Sequence, residues 1–211
     1  MTNIELFNNA SITLIIIPIV YYLVNYSKLV EINNSLFFYL LLSFLTELLN
    51  ALNYYFIHST SYTITLIFII YEVLFFYHFY KKSHSKKLKL LLYLLIACII
   101  LLFFIDFFEI KEVKYDIFLG GSRIIILIIC LSELLNSFDS KHPLWRRIIV
   151  IAFIQYAVLG VSVFSFASFF IENKQYLYFF VLLNSISNAL LYLTITYSLY
   201  LCKKKYLQAL Y

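Results

Sequence analysis

Four ionisable side chains stand inside long apolar runs of this sequence: Glu47, Glu72, Arg123 and Glu133. A carboxylate away from water can hold or pass a proton, bind a cation, or neutralise a buried guanidinium. Amides accompany them at helical spacing. Glu47 and Asn50 are three apart, as are Glu133 and Asn136, so each pair shares one helix face. Asn184 and Asn188 are four apart, with Ser185 and Ser187 close by, and Asn53 and Gln155 add further amides. Arg123 is opposite in charge to the central carboxylates Glu47 and Glu72, and pairing with one leaves the other protonated or facing water. Glu133, near the end of its run, is expected to be partly hydrated. Two roles fit the set. One is interhelical hydrogen-bond glue, worth about 0.6 kcal/mol per contact; the other is a path for protons or cations, or a polar ligand pocket. For the asparagines glue is the better reading, whereas for Glu47 and Glu72 both stand.

The elements that must carry these residues follow from composition. Of 211 residues, 64% are hydrophobic and 13% charged, and the mean hydropathy is +0.91. Soluble domains carry about 25% charged residues, so the balance points away from that class. With 3 Gly and 2 Pro there is little material for loops or broken helices. A lipid-spanning helix needs about 20 apolar residues, and seven segments qualify: 10–27, 35–57, 62–80, 88–108, 117–138, 147–171 and 176–202. The short alternating segments of a β-barrel are absent. Residues 1–9 contain no Lys or Arg, so the first run reads as a span rather than a cleaved signal. The expected fold is all-α: a polytopic membrane protein with one seven-helix transmembrane domain over residues 1–211.

Charge sets the orientation. Twelve basic residues (Lys28, Lys81, Lys82, Lys86, Lys87, Lys89, Lys141, Arg146, Arg147 and Lys203 to Lys205) lie on one set of alternate connections and the C-terminus. Three, Lys111, Lys114 and Lys174, lie on the other. The positive-inside rule then puts the N-terminus outside and the C-terminus in the cytoplasm. The net charge of +5 is mostly this marker rather than a sign of nucleic acid. The basic loop Lys81, Lys82, Lys86, Lys87 and Lys89 lacks interleaved aromatics for base stacking, and it reads as topogenic charge on anionic headgroups. A docking surface for a cytoplasmic protein is the sharper alternative. Tyr21, Tyr22, Tyr54, Tyr55, Tyr77, Tyr80, Tyr176 and Tyr178 fall at the expected membrane rims.

Other features narrow the function. Span 7 has no Lys between Lys174 and Lys203, which excludes a retinal Schiff base. No hydrolase, zinc or phosphate-loop motif occurs, and the four His are scattered, so neither metal nor cofactor is expected. The three Cys show no CxxC spacing. Ala157, Gly160, Ser165 and Ser168 form a small-residue face on span 6 that suits close helix approach, within the bundle or in a homo-oligomer. Pro18 is expected to kink span 1, and Gly120 and Gly121 to open span 5. Thr46 to Asn50 and Ser132 to Asn136 echo each other on helices of opposite direction, the relation of an inverted repeat.

Three stretches carry a resemblance: Tyr71-Glu72-Val73-Leu74-Phe75-Phe76, His142-Pro143-Leu144-Trp145 and Leu183-Asn184-Ser185-Ile186-Ser187-Asn188. In these the chain resembles a group of small seven-helix bacterial integral membrane proteins. It is also similar in size and composition to multi-span accessory proteins encoded beside RNA-guided RNA nucleases of CRISPR systems. The resemblance implies a multi-pass protein of the bacterial inner membrane, an accessory role in signalling or antiviral defence, and Glu72, Pro143, Trp145, Asn184 and Asn188 as residues of interest. The expected function is therefore a non-enzymatic membrane accessory acting through cytoplasmic loops or self-assembly. A proton- or cation-coupled transporter using Glu47 and Glu72 is the alternative. An intramembrane lipid hydrolase, by analogy with small lysoplasmalogenase-like enzymes, is the third.

Overall fold

A computed structural model describes residues 3–29, 34–57, 62–80, 86–109, 115–139, 143–164 and 174–208. Within them every regular element is helical: α1 (Asn3–Val24), α2 (Asn34–Ile57), α3 (Tyr62–Tyr80), α4 (Lys86–Glu109), α5 (Tyr115–Asp139), α6 (Leu144–Phe164) and α7 (Lys174–Gln208), with one 3₁₀ turn at Tyr26–Lys28. These are the expected seven segments, each lengthened or trimmed by a few residues. The final stretch of the sixth, 165–171, lies outside the described residues. Among the described residues two helices are long and apolar enough to cross a membrane, α5 over Gly120–Ser137 and α6 over Leu144–Val163, and α1, α2 and α3 carry shorter apolar stretches.

Uninterrupted helix is what the scarcity of Gly and Pro demands. α1 runs continuously through Pro18, although proline there removes one ladder donor. It stops at Asn25, whose backbone N–H donates to the carbonyls of Tyr21 and Tyr22 at 3.2 Å and whose side-chain amide donates to the Tyr21 carbonyl at 2.9 Å. Gly120 and Gly121 fall inside α5, a turn past its start at Tyr115. Hydroxyl side chains in the apolar helices fold back on their own backbone. Ser43 donates to the Tyr39 carbonyl, Thr46 to Leu42 and Thr196 to Tyr192, at 2.8–2.9 Å. This back-bonding satisfies each hydroxyl within its own helix.

The helices pack as a ring: α1 on α2, α2 on α3, α3 on α5, α5 on α6, α6 on α7, and α7 back on α1. α4 stands outside, against α3 and α5. The ring is filled rather than hollow. Tyr39 of α2, Phe75 and Phe76 of α3 and Phe153 of α6 meet inside it, with Phe76 and Phe153 edge to face at 4.5 Å and Tyr39 stacked on Phe75 at 4.7 Å. Such pairs add to the area they bury. On the outside, large apolar side chains stay exposed along every helix, among them Leu23, Phe38, Leu49, Ile67, Leu94, Leu135, Ile151 and Leu193. The exposed lysines with described side chains sit at helix ends, at Lys86, Lys204 and Lys205. Apolar side chains thus both fill the interior and line the outward faces, and the exposed charges gather at helix ends.

Candidate functional site

The filled interior holds the chemistry. α3 presents Glu72 to the centre of the ring, where its side chain is wholly buried. α5 presents Arg123, which is 5% exposed and donates through Nη1 to Glu72 Oε2 in an ion pair. Tyr39 of α2 donates its hydroxyl to the other carboxylate oxygen at 3.0 Å. The Arg123 guanidinium lies over the Tyr156 ring of α6, 4.4 Å from its centroid, an attraction that strengthens where water is excluded. Four helices thus meet on one carboxylate–guanidinium pair. Each oxygen of Glu72 has a donor, and the cation has both an anion and an aromatic face. A buried pair with such partners offsets its desolvation cost, whereas removing one member strands the other.

Gly160 of α6 makes this geometry possible. A Cβ built there would come within 2.9–3.2 Å of the Arg123 stem, at Cδ, Cγ and Nε. The small-residue face of span 6 is therefore used inside the bundle at Gly160 and at the fully buried Ala157. Ser165 and Ser168 lie outside the described residues.

Glu133 corrects an expectation. It is fully buried rather than partly hydrated, because Arg146 in the first turn of α6 covers it with an ion pair at 2.7 Å while remaining 29% exposed. The long guanidinium side chain spans from the carboxylate to the rim. Nearby, the carbonyl of Pro143 accepts from the N–H groups of Arg146 and Arg147, and so starts α6. Trp145 is buried, and its carbonyl accepts a hydrogen bond from Ser198 of α7. Pro143 and Trp145 thus set where α6 begins and how it meets α7.

The remaining candidates divide. Glu47 is half-buried on α2 and forms no ion pair with a described residue. Asn188, Ser185 and Ser187 are buried on α7 and Asn184 is half-buried. The Ser187 hydroxyl has no partner among the described residues. For Asn50 only the backbone, within α2, is described. Within the basic loop, Lys81 and Lys82 lie outside the described residues, as does the side chain of Lys87; Lys86 is exposed and Lys89 half-buried. The echo of Glu47 and Glu133 ends in unlike surroundings, since Glu133 pairs with Arg146 and Glu47 has no ion-pair partner among the described residues. Tyr22, expected at a rim, is buried and donates to Asn34 Oδ1 at 2.9 Å, tying α1 to α2.

Sequence reasoning singled out Glu72 and Arg123 but missed Tyr39, Tyr156 and the part played by Gly160. With 20 tyrosines in the chain, none stands out. Gly160 did carry a signal, as one of 3 glycines placed within an apolar helix. No family model matches this chain, and neither curated proteins nor solved structures give a match.

Proposed function

We propose that the chain is a multi-pass protein of the bacterial cytoplasmic membrane, crossing it seven times with the N-terminus outside and the C-terminus inside. In this reading it is a non-enzymatic accessory or signalling component acting through its basic cytoplasmic face. The observation that carries the proposal is the closed cluster of Glu72, Arg123, Tyr39 and Tyr156, in which opposite charges neutralise each other and bind four helices together. A permeation path or a hydrolytic centre needs a group free to exchange protons or meet substrate. Here both carboxylate oxygens of Glu72 are taken up, one by Arg123 and the other by Tyr39. Apolar side chains along the outward faces support the membrane setting. The resemblance supports an accessory role beside an RNA-guided RNA nuclease.

The test replaces the pair by apolar residues of similar bulk, Glu72→Leu with Arg123→Leu. If the cluster is structural, the double variant inserts and stays monodisperse, and it keeps whatever membrane depolarisation or phage protection the wild type gives when expressed with such a nuclease. A double variant that folds but loses that phenotype moves the function onto the charges.

Glu47 supports the second reading, proton- or cation-coupled transport. It is the one central carboxylate without an ion-pair partner among the described residues. Proton flux into proteoliposomes that Glu47→Gln abolishes, with the fold intact, would favour it. Equal flux in vesicles with wild type, variant or no protein would remove it.

A further inference from the structure

The outer face of α1 carries a groove of about 660 Å³. Its walls are aliphatic, from Ile16, Ile17, Val20 and Val24, all of them exposed. Its lining runs from Thr13 to Val24, about 16 Å of helix at 1.5 Å per residue. That is close to half of a ~30 Å hydrocarbon core, or one leaflet.

Thr13 stands at one end of the lining, and Tyr21, Asn25 and Lys203 stand at the other. Lys203 of α7 lines the groove there, with its ammonium 5.8 Å from the Tyr21 ring centroid. Lys203 forms no ion pair with a described residue, and Lys204 and Lys205 follow it on the exposed end of α7. The Tyr21 hydroxyl is buried and has no hydrogen-bond partner among the described residues. The Asn25 amide is already committed to the Tyr21 carbonyl. A cation and a spare hydroxyl donor therefore stand at the end of an apolar channel one leaflet long.

We propose that this groove binds one anionic glycerophospholipid of the leaflet on the basic side. An acyl chain lies along Ile16, Ile17 and Val20, and the phosphate is held by the Lys203 ammonium and the Tyr21 hydroxyl. The charge of the site argues for a lipid over a second copy of the chain. Copies inserted in one membrane run parallel, and a two-fold contact across this face would bring two Lys203 side chains together. The site rests on the membrane reading above, and its test separates the two.

Full-length protein is reconstituted in phosphatidylcholine vesicles doped with a trace of phosphatidylglycerol or phosphatidylcholine bearing a diazirine on the acyl chain. After irradiation, the labelled peptides are mapped by mass spectrometry. The phosphatidylglycerol probe should label residues 13–24 about fivefold more than the phosphatidylcholine probe, the preference that one basic residue confers near an anionic headgroup. Both probes should label the outward face of α4, at Leu94 and Leu101, equally. Lys203→Ala should bring the α1 preference to parity, Lys203→Arg should keep it, and Tyr21→Phe, which removes only the hydroxyl, should lower it. Equal labelling of wild-type α1 by both probes overturns the site and leaves the membrane reading standing. No labelling of either α1 or α4 overturns the membrane reading itself. A cross-link between two copies through residues 13–24 gives the face to a second copy and overturns the lipid site.

Discussion

Glu72 and Arg123 show how a costly pair of residues becomes a structural asset. Alone, either would be an uncompensated buried charge; together, with Tyr39 on one carboxylate oxygen and Tyr156 under the guanidinium, they hold four helices. Glu72→Gln should destabilise the protein by about 3–5 kcal/mol, because it leaves the buried cation unneutralised. Thermal unfolding in detergent would read this as a clear loss of stability, with the Glu72→Leu/Arg123→Leu protein far closer to wild type. Gly160→Ala tests the same site from the other side. The added methyl meets the middle of the Arg123 stem, which the ion pair holds in place, and should cost about 1–3 kcal/mol by overpacking. Restored stability when Gly160→Ala is combined with Arg123→Leu and Glu72→Leu would show that the clash acts through Arg123.

Among the elements, α6 packs on both α5 and α7, and the sequence marks it unevenly. Its start is legible in Pro143, whose ring stops a helix from reaching back and whose carbonyl then begins a new one. Its partner is not. Ser198 looks like any serine in an apolar run, yet it donates across to the Trp145 carbonyl of α6. Ser198→Ala should weaken the α6–α7 contact by about 0.5–1.5 kcal/mol, a small shift in the unfolding midpoint with the helical content unchanged. α7 also exceeds its expectation: the run 176–202 reads as a span, but the helix continues to Gln208, about 52 Å in all. The three lysines therefore extend the helix beyond the apolar segment instead of ending it.

For the molecule as a whole, the ring of six helices with α4 outside it buries two ion pairs within an apolar core and also leaves large aliphatic side chains on its surface. The orientation proposed from basic residues has a direct check. In a background without the native cysteines, Lys114→Cys should react with a membrane-impermeant maleimide in intact cells. Lys204→Cys, on the exposed end of α7, should react only after permeabilisation. The reverse pattern would invert the topology, and labelling of neither or both in intact cells would break the seven-span count.

Composition and spacing by themselves determined the helices: apolar runs of about span length, separated by charges and nearly free of Gly and Pro, leave the backbone few other ways to satisfy its hydrogen bonds. They also marked Glu47, Glu72, Arg123 and Glu133 as groups in need of partners. Only the tertiary structure decided the partners. Helical periodicity says which residues share a face of one helix, but not which helices become neighbours across loops. Arg123 could have met Glu47 as well as Glu72; the packing of α3 on α5, and the space Gly160 leaves on α6, chose Glu72. The same packing brought Arg146 over Glu133 and left Glu47 with no ion-pair partner among the described residues. Charge alone is written in the sequence, whereas neutralisation depends on distance, and distance is set by how the helices pack.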